Sequence, residues 1–184
     1  MIVEFLKDEI TYDGTQLRSH WISDQTGKFG DAIVSFVGPA DVDLSHMVDL
    51  EDVKNKEPIS SNSMLHFIVE HFDLDLEKTI LRQRLLVSII HQALLNSSKT
   101  NIRRTGDDLY DDDAKLSVSI ATLSMVSTLI HTAINIDSKN TPVKTKGLND
   151  YKISPLAFAL DVMKAYSHEL ESIKVARAKV RGVK

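Results

Sequence analysis

Two strand-like stretches, Lys115–Thr122 and Ser127–Ile136, are joined by so short a connection that they are expected to pair antiparallel. A long amphipathic stretch lies on each side of them. The first starts at Asp75, whose carboxylate suits the free N–H groups of a helix start, with Glu77 at the positive end of the helix dipole. Leu81, Leu85, Leu86, Ile89, Ile90, Ala93 and Leu94 then recur at three- and four-residue steps, and Asn96-Ser97-Ser98 ends the run. The second opens at Ser154-Pro155, where the missing proline N–H does no harm, and its stripe is Leu156, Leu160, Met163, Tyr166, Leu170 and Ile173. Helices over 75–95 and 155–178 are expected to pack on one sheet.

Upstream, Ile2–Tyr12 and Gln16–Ser23 read as strands flanking Asp13-Gly14, which tolerates the positive φ of a tight turn. Asp31–Val37 is an apolar run closed by Gly38-Pro39, short enough for a buried strand. Val42–Val48 is a further strand candidate, and Glu51–Glu57 is charged and expected to be exposed. In Met64–Phe72, Leu65, Phe67 and Val69 share one parity, and Met64, His66, Ile68, Glu70 and Phe72 the other. Asn101–Asp113 is an acid-rich stretch around Gly106, and Thr141–Asp150 is a loop. Strands, helix, strands, helix predict an α+β fold with helices on a mostly antiparallel sheet. The 184 residues fit one domain of about 100–200, spanning 1–184 with an exposed basic end at 178–184.

Composition removes several chemistries. The chain has no cysteine, which excludes disulfides, thiolate zinc and a Cys nucleophile. A net charge of −4 gives no whole-body attraction to nucleic acid or anionic lipid. The first residues carry acids within their apolar stretch and no cleavage signature, and no apolar run approaches the ~20 residues of a membrane helix. The expected location is cytoplasmic.

The chemistry concentrates in residues 106–136. By parity, Leu116, Val118 and Ile120 point to the core and Lys115, Ser117, Ser119 and Ala121 away from it. In the partner strand His131, Ala133 and Asn135 share a face with Leu129, opposite Ile130, Thr132, Ile134 and Ile136. Side by side, the two polar faces would make a wall of one cation, small residues, an imidazole and an amide. Such a lysine suits a carboxylate, a phosphate or a polarised carbonyl. The plainer reading is a solvated edge lysine and a satisfied structural histidine.

Other groups are weaker. Asp107, Asp108 and Asp111–Asp113 have the oxygen ligands Mg²⁺ takes, but a run such as 111–113 is more often a solvated turn. His66, Glu70 and His71 are metal-ligand types, yet His71 faces away from the other two in a strand, and no metal site is expected. Lys174, Arg177, Lys179, Arg181 and Lys184 suit the negative end of a helix dipole better than a nucleic acid. Arg103-Arg104 precedes the acidic turn and suits a bidentate grip on phosphate.

Gly106-Asp107-Asp108-Leu109-Tyr110 followed by Lys115-Leu116 resembles the biotin protein ligase core, where an Asn-Asp-Leu turn precedes a Lys-Leu or Lys-Ile strand at the same interval. The ligand-binding lysine of those enzymes stands where Lys115 stands. Ile130-His131-Thr132-Ala133-Ile134-Asn135-Ile136 is similar to the His-Gly-…-Leu-Asn-Val strand of lipoyl (octanoyl) transferases. Over the whole chain, Gly30-Asp31-Ala32-Ile33, Met47–Asp52, His66–Phe72, Arg82–Leu85 and Gly106–Thr122 resemble an uncharacterised archaeal family, domain of unknown function number three hundred and sixty-six. That resemblance implies the biotin/lipoate ligase-like fold, shared with class II aminoacyl-tRNA synthetases. The chain departs from the ligases in three places. Its seven glycines form no Gly-Arg-Gly-Arg or Arg-Arg-Gly-Gly loop, the cysteine of octanoyl transferases is absent, and Thr132 replaces the glycine after the histidine.

The resemblance implies a protein that binds a small carboxylic acid or its activated ester and transfers an acyl or nucleotidyl group. Lys115 would stabilise negative charge and His131 would line the pocket. Asp108 would order the turn or a metal, and Arg103, Arg104, Ser117, Ser119 and Asn135 would contact the ligand. ATP and Mg²⁺ would serve such a reaction, but the missing loop weighs against tight ATP binding. The alternative is a non-catalytic module holding a small molecule or a partner, a homo-oligomer included. An RNA-associated accessory role is the weakest reading. The sequence leaves enzyme and module both open.

Overall fold

The computed structural model describes residues 1–56, 59–98, 101–138 and 144–183. In chain order the elements are β1 (Ile2–Phe5), α1 (Trp21–Thr26), β2 (Ala32–Val42), α2 (Leu50–Asn55), β3 (Ile59–His71) and α3 (Leu76–Ser97). There follow β4 (Ile102–Thr105), β5 (Asp108–Asp111), β6 (Ala114–Lys115), β7 (Ser117–Leu123), β8 (Thr128–Asn135) and α4 (Pro155–Lys179). The main sheet has the order β1-β2-β3-β8-β7, and β4-β5-β6 form a small second sheet. β1 pairs parallel with β2 and every other pair is antiparallel, so the mostly antiparallel α+β architecture is present with one parallel edge.

β3 is central and buried on both faces from Met64 to His71. Its Leu65, Phe67 and Val69, with Ile33, Ile130 and Ile134, meet Leu86, Val87, Ile90 and Leu94 of α3 and Phe158, Val162, Met163 and Tyr166 of α4. Each such fully buried side chain is worth about 1.5–3 kcal/mol. The far face carries Ala32, Val34, Phe36 and Ile68, covered by Tyr12, Trp21 and Ile22. The N-terminal segment is therefore a second layer, a role that the strand reading of Gln16–Ser23 did not anticipate.

Several local signals act as expected. The Asp75 carboxylate accepts from the Lys78 N–H at 2.9 Å, and α4 starts at Pro155 directly after Ser154, which stands at the cap position but makes no side-chain capping hydrogen bond among the described residues. The buried stripes differ in detail. α3 buries Thr79, Gln83, Leu86, Val87, Ile90 and Leu94, and leaves Leu81 64% exposed. α4 buries Phe158, Ala159, Val162, Met163 and Tyr166, and leaves Leu156 and Ile173 half exposed. Both helices carry apolar residues on more than one face, and contact with the sheet selects among them.

The N-terminal hairpin does not form. Gly14 makes its turn at φ 92°, but Trp21–Thr26 is helix α1, whose Trp21 and Ile22 pack on the far face. The chain after β1 instead continues along β2, with Leu6, Ile10 and Tyr12 N–H donating to the Ser35, Val37 and Pro39 carbonyls. β2 runs through Gly38-Pro39 to Val42 rather than stopping there, and a Cβ on Gly38 would fall on the Ile10 carbonyl oxygen. Val42–Val48 is not a strand. β2 ends at Val42, and the Asp49 carboxylate caps α2 through the Glu51 N–H at 2.8 Å. Within the charged stretch Glu51–Glu57, Glu57 lies outside the described residues.

Asn101–Asp113 folds as the β4–β5 hairpin around Gly106, at φ 65°. β7 and β8 pair antiparallel as expected, but Lys115 belongs to the small sheet rather than to β7. In the Thr141–Asp150 loop, Thr141, Pro142 and Val143 lie outside the described residues and Leu148–Tyr151 is a 3₁₀ helix. No described helix is long and apolar enough to cross a membrane.

Candidate functional site

Lys115 sits in β6 between two strands of chain. It pairs with Tyr110 on one side, and its N–H donates to the Lys144 carbonyl at 2.9 Å on the other. Its ammonium lies 3.1 Å from Asp108, with both side chains about one-third exposed or less, at 33% and 28%. The Tyr110 hydroxyl donates to the other Asp108 oxygen at 3.2 Å, and the Arg103 guanidinium lies 4.6 Å over the Tyr110 ring. Burial works against the Lys115 charge, but Asp108, Tyr110 and Asp52 of α2 outweigh it and hold the ammonium above the usual lysine range. The Asn135 side-chain N–H donates to the Lys115 carbonyl at 3.3 Å. Lys115 thus contacts Asp108 through its side chain and Asn135 through its backbone carbonyl.

Ser117 and Ser119 are not on that wall. Their cross-strand partners are Ile134 and Thr132, which places them on the helix side of the sheet. The residues that share a face with His131 and Ala133 are Ile120 and Val118. The parity expectation fails because it runs one strand through Lys115 and Ser117, whereas the chain changes sheets between them. Ser117 Oγ accepts from the Leu109 N–H at 2.9 Å, which ties β7 to the Asp108 strand. Ser119 Oγ accepts from Gln83 of α3 at 2.9 Å, and the same Gln83 amide reaches Asp107 at 2.9 Å. Arg84 also holds Asp107, at 2.7 Å. Burial pushes the Asp107 carboxyl above its usual range against the pull of Arg84. The turn that presents Asp108 is therefore anchored on α3 by Gln83 and Arg84. In the sequence both stood only within the family-like stretch Arg82–Leu85 and were not named as site residues, although two polar residues interrupting a leucine-rich stripe were a visible signal.

His131 is buried, and its Nε2 lies 3.1 Å from His66 Nδ1. His66 Nε2 lies 3.1 Å from the Gly38 carbonyl. A carbonyl can only accept, so His66 Nε2 carries a proton, its Nδ1 accepts, and His131 Nε2 donates. Both rings are then neutral with fixed tautomers. Burial holds His66 down to about 4, and burial plus His66 holds His131 well below the usual imidazole range. Phe36 stacks on His66 at 4.9 Å, and Tyr12 stacks on His131 at 3.6 Å between ring centres. Tyr12 had no chemical signal in the sequence. Beside this stack, Ala40, Met64 and Ala133 form a small cluster with Ile59 and Val118. Ser61 pairs across from Ala40, and its buried hydroxyl has no hydrogen-bond partner among the described residues.

The remaining candidates are placed as follows. Arg103 and Arg104 are exposed and bond within their own hairpin, to Thr105 Oγ1 at 2.8 Å and the Gly106 carbonyl at 2.6 Å. Asp111 corrects the solvated-turn reading: it is 6% exposed and accepts from Lys146 and the Tyr151 hydroxyl, each at 2.7 Å. His66, Glu70 and His71 do not converge. Glu70 accepts from the His20 N–H at 2.9 Å and the Ser127 hydroxyl at 2.6 Å, while His71 lies between Asp31 and the Tyr166 hydroxyl. No group of three metal-ligating residues occurs among the described residues. In the basic tail, α4 ends at Lys179, Arg181 is exposed coil and Lys184 lies outside the described residues.

A family described as a domain of unknown function, DUF366, matches residues 1–181. The chain belongs to the DUF366 family. An uncharacterized protein of Methanocaldococcus jannaschii, MJ0805, is 38% identical over 181 residues, 95% of this chain and 81% of that one. A protein of unknown function from Pyrococcus horikoshi has the same structure at TM-score 0.91 and 35% identity, covering 99% of this chain and all of its own. The DUF366 fold is that of the biotin and lipoate ligases. The Aquifex aeolicus biotin protein ligase in complex with biotin and ATP superposes at TM-score 0.62 with 13% identity, over 93% of this chain and 72% of that one. Protein Ta0514 of T. acidophilum, with bound lipoic acid, gives TM-score 0.61 with 13% identity, over 93% and 87%.

A polyphosphate needs several backbone N–H groups brought together by glycines, with cations beside them. In this DUF366 chain the glycines are dispersed. The turn with Gly27 and Gly30, at φ 68° and 128°, offers one cation, Lys28, which is bound to Glu4 at 2.8 Å. The donor set does not fit ATP, and no step through a nucleotide is derived.

Proposed function

We propose that the chain, as one unit over 1–184, binds a small carboxylic acid or its activated ester beside Lys115 and, from the ester, passes the acyl group to an acceptor nucleophile with release of the ester's leaving group and without a covalent Cys intermediate. The observation that carries this reading is the half-buried Lys115 ammonium, held above its usual range where the small sheet meets β8. A ligand carboxylate would exchange with Asp108 for that ammonium. In transfer, the same charge would stabilise the oxygen on which negative charge develops. His131 has committed its Nε2 proton to His66, so its Nδ1 is left as a neutral acceptor toward the ligand. Asn135 would supply its amide oxygen, and the exposed Arg103 and Arg104 would meet the leaving group. The biotin and lipoic acid held by the two ligase-fold relatives each carry an alkyl chain ending in a carboxylate, which supports the same class here.

A second reading, a binding module without turnover, rests on Tyr12. It stacks at 3.6 Å on His131, so the chain's own N-terminal segment covers part of the far face. Native mass spectrometry of wild type and Lys115→Ala tests the site. The expected result is a small acid on the wild type, its loss from the variant and unchanged melting of the ligand-free forms. The Lys115–Asp108 pair is partly exposed to solvent, and such a pair contributes about 1 kcal/mol or less to stability. A charge-assisted ligand contact is worth about 1.5–3 kcal/mol, a ten- to hundredfold loss of affinity. Retention of the ligand by the variant would sink the proposal. Turnover assays with acyl-thioester and acyl-adenylate donors then separate enzyme from module.

A further inference from the structure

On α3 and α4, Leu85 and Leu170 sit at the margin of the main core, and Leu81 and Ile173 lie exposed beyond it. Leu81 (64% exposed) and Leu85 on α3, and Leu170 and Ile173 (48% exposed) on α4, line one cleft of about 470 Å³ between the two helices. That volume lies in the range of small-molecule sites, roughly 300–1,000 Å³. Buried His71 also lines it, with its two ring nitrogens occupied by Asp31 at 3.3 Å and the Tyr166 hydroxyl at 3.1 Å.

The rim is cationic. Lys78 and Arg82 on α3 share the single Asp73 carboxylate, at 2.9 and 2.8 Å. On α4, Lys174 is paired with the exposed Glu171 at 3.3 Å, and Arg177 has no ion-pair partner among the described residues. Four cations face three carboxylates, those of Asp31, Asp73 and Glu171, on a chain whose net charge is −4. The cleft thus combines an apolar interior contributed by two helices with locally inverted charge at its mouth. Its lining contains no Phe, Tyr or Trp ring on which a nucleobase or sugar would stack.

We propose that this cleft is a binding site for a single-chain amphiphile with one anionic head, its chain among Leu81, Leu85, Leu170 and Ile173 and its carboxylate or phosphate between Arg82 and Arg177. The site is separate from Lys115 and does not depend on the function proposed above.

The test is calorimetric titration of the full chain with decanoate and, in a parallel arm, with decyl phosphate. Saturable one-to-one binding of either is expected, and the stronger arm identifies the head group. Leu81→Asp and Arg177→Glu both change exposed positions outside the core, and each is expected to weaken binding by about tenfold or more. The titrations are run in the Lys115→Ala background, so that a carboxylate held by that lysine does not enter the stoichiometry. The proposal is overturned if neither amphiphile saturates or if both cleft variants bind like the protein with the cleft intact. Co-sedimentation with phosphatidylglycerol vesicles without saturable binding of either monomer would also overturn it, in favour of a membrane-facing surface.

Discussion

At the scale of single residues, two buried imidazoles make the chain's stability pH-dependent in a defined direction. His66 titrates near 4 in the fold against about 6.5 in an unfolded chain, and His131 is displaced the same way. The unfolded state therefore binds more protons, so stability is complete above about pH 6.5 and falls as pH drops toward 4. Each extra proton contributes a slope of up to about 1.4 kcal/mol per pH unit. Urea unfolding should show a clearly lower midpoint at pH 5 than at pH 7, and equal midpoints would mean that the rings are not buried as a neutral pair. Asp31 acts in a lower window. The His71 hydrogen bond, aided by the Phe72 N–H, holds its carboxyl near 2, so its contribution is present above about pH 4 and is lost as pH falls through 2.

At the scale of elements, the approach of the Leu6–Tyr12 segment to β2 depends on Gly38. A methyl group there meets a backbone oxygen, that of Ile10, which cannot rotate away. Gly38→Ala is therefore expected to destabilise by about 1–3 kcal/mol, the usual range for overpacking, and thermal melting checks it. A melt within error of the wild type would show that the N-terminal strand is loosely held. The elements also show which signals were readable. The Asp75 cap, the Ser154-Pro155 start and the alternation in β3 act through near neighbours, and each appears where the pattern put it. Gln16–Ser23 had no such local signal for a strand, and its Trp21 and Ile22 found their burial as helix α1 against the far face.

For the molecule as a whole, the ligase-like fold is present while the glycine-rich cradle is not. Titration with ATP and Mg²⁺ is expected to give no binding in the micromolar range. Micromolar binding would mean that another segment, such as Gly27–Asp31 or Arg103–Gly106, supplies the donors, and adenylation would return as the leading chemistry. The N-terminal layer fills space on the far face of the sheet. It is fixed at one end by Tyr12 on His131 and at the other by the Glu70 carboxylate gripping the His20 N–H.

The sequence by itself determined the helix starts, the antiparallel β7–β8 pair and the strand through Met64–His71. These depend on periodicity, caps and short connections, which act over a few residues. Only the tertiary structure decided the rest. It moved Lys115 into a separate small sheet, so Ser117 and Ser119 turned toward α3 while His131 faced Tyr12 and His66. It also chose which apolar stripe of each long helix met the sheet, leaving Leu81 and Ile173 in the open cleft. A strand's parity says which residues share a face, but where one strand ends and another begins is set by partners far along the chain, and no local pattern encodes them.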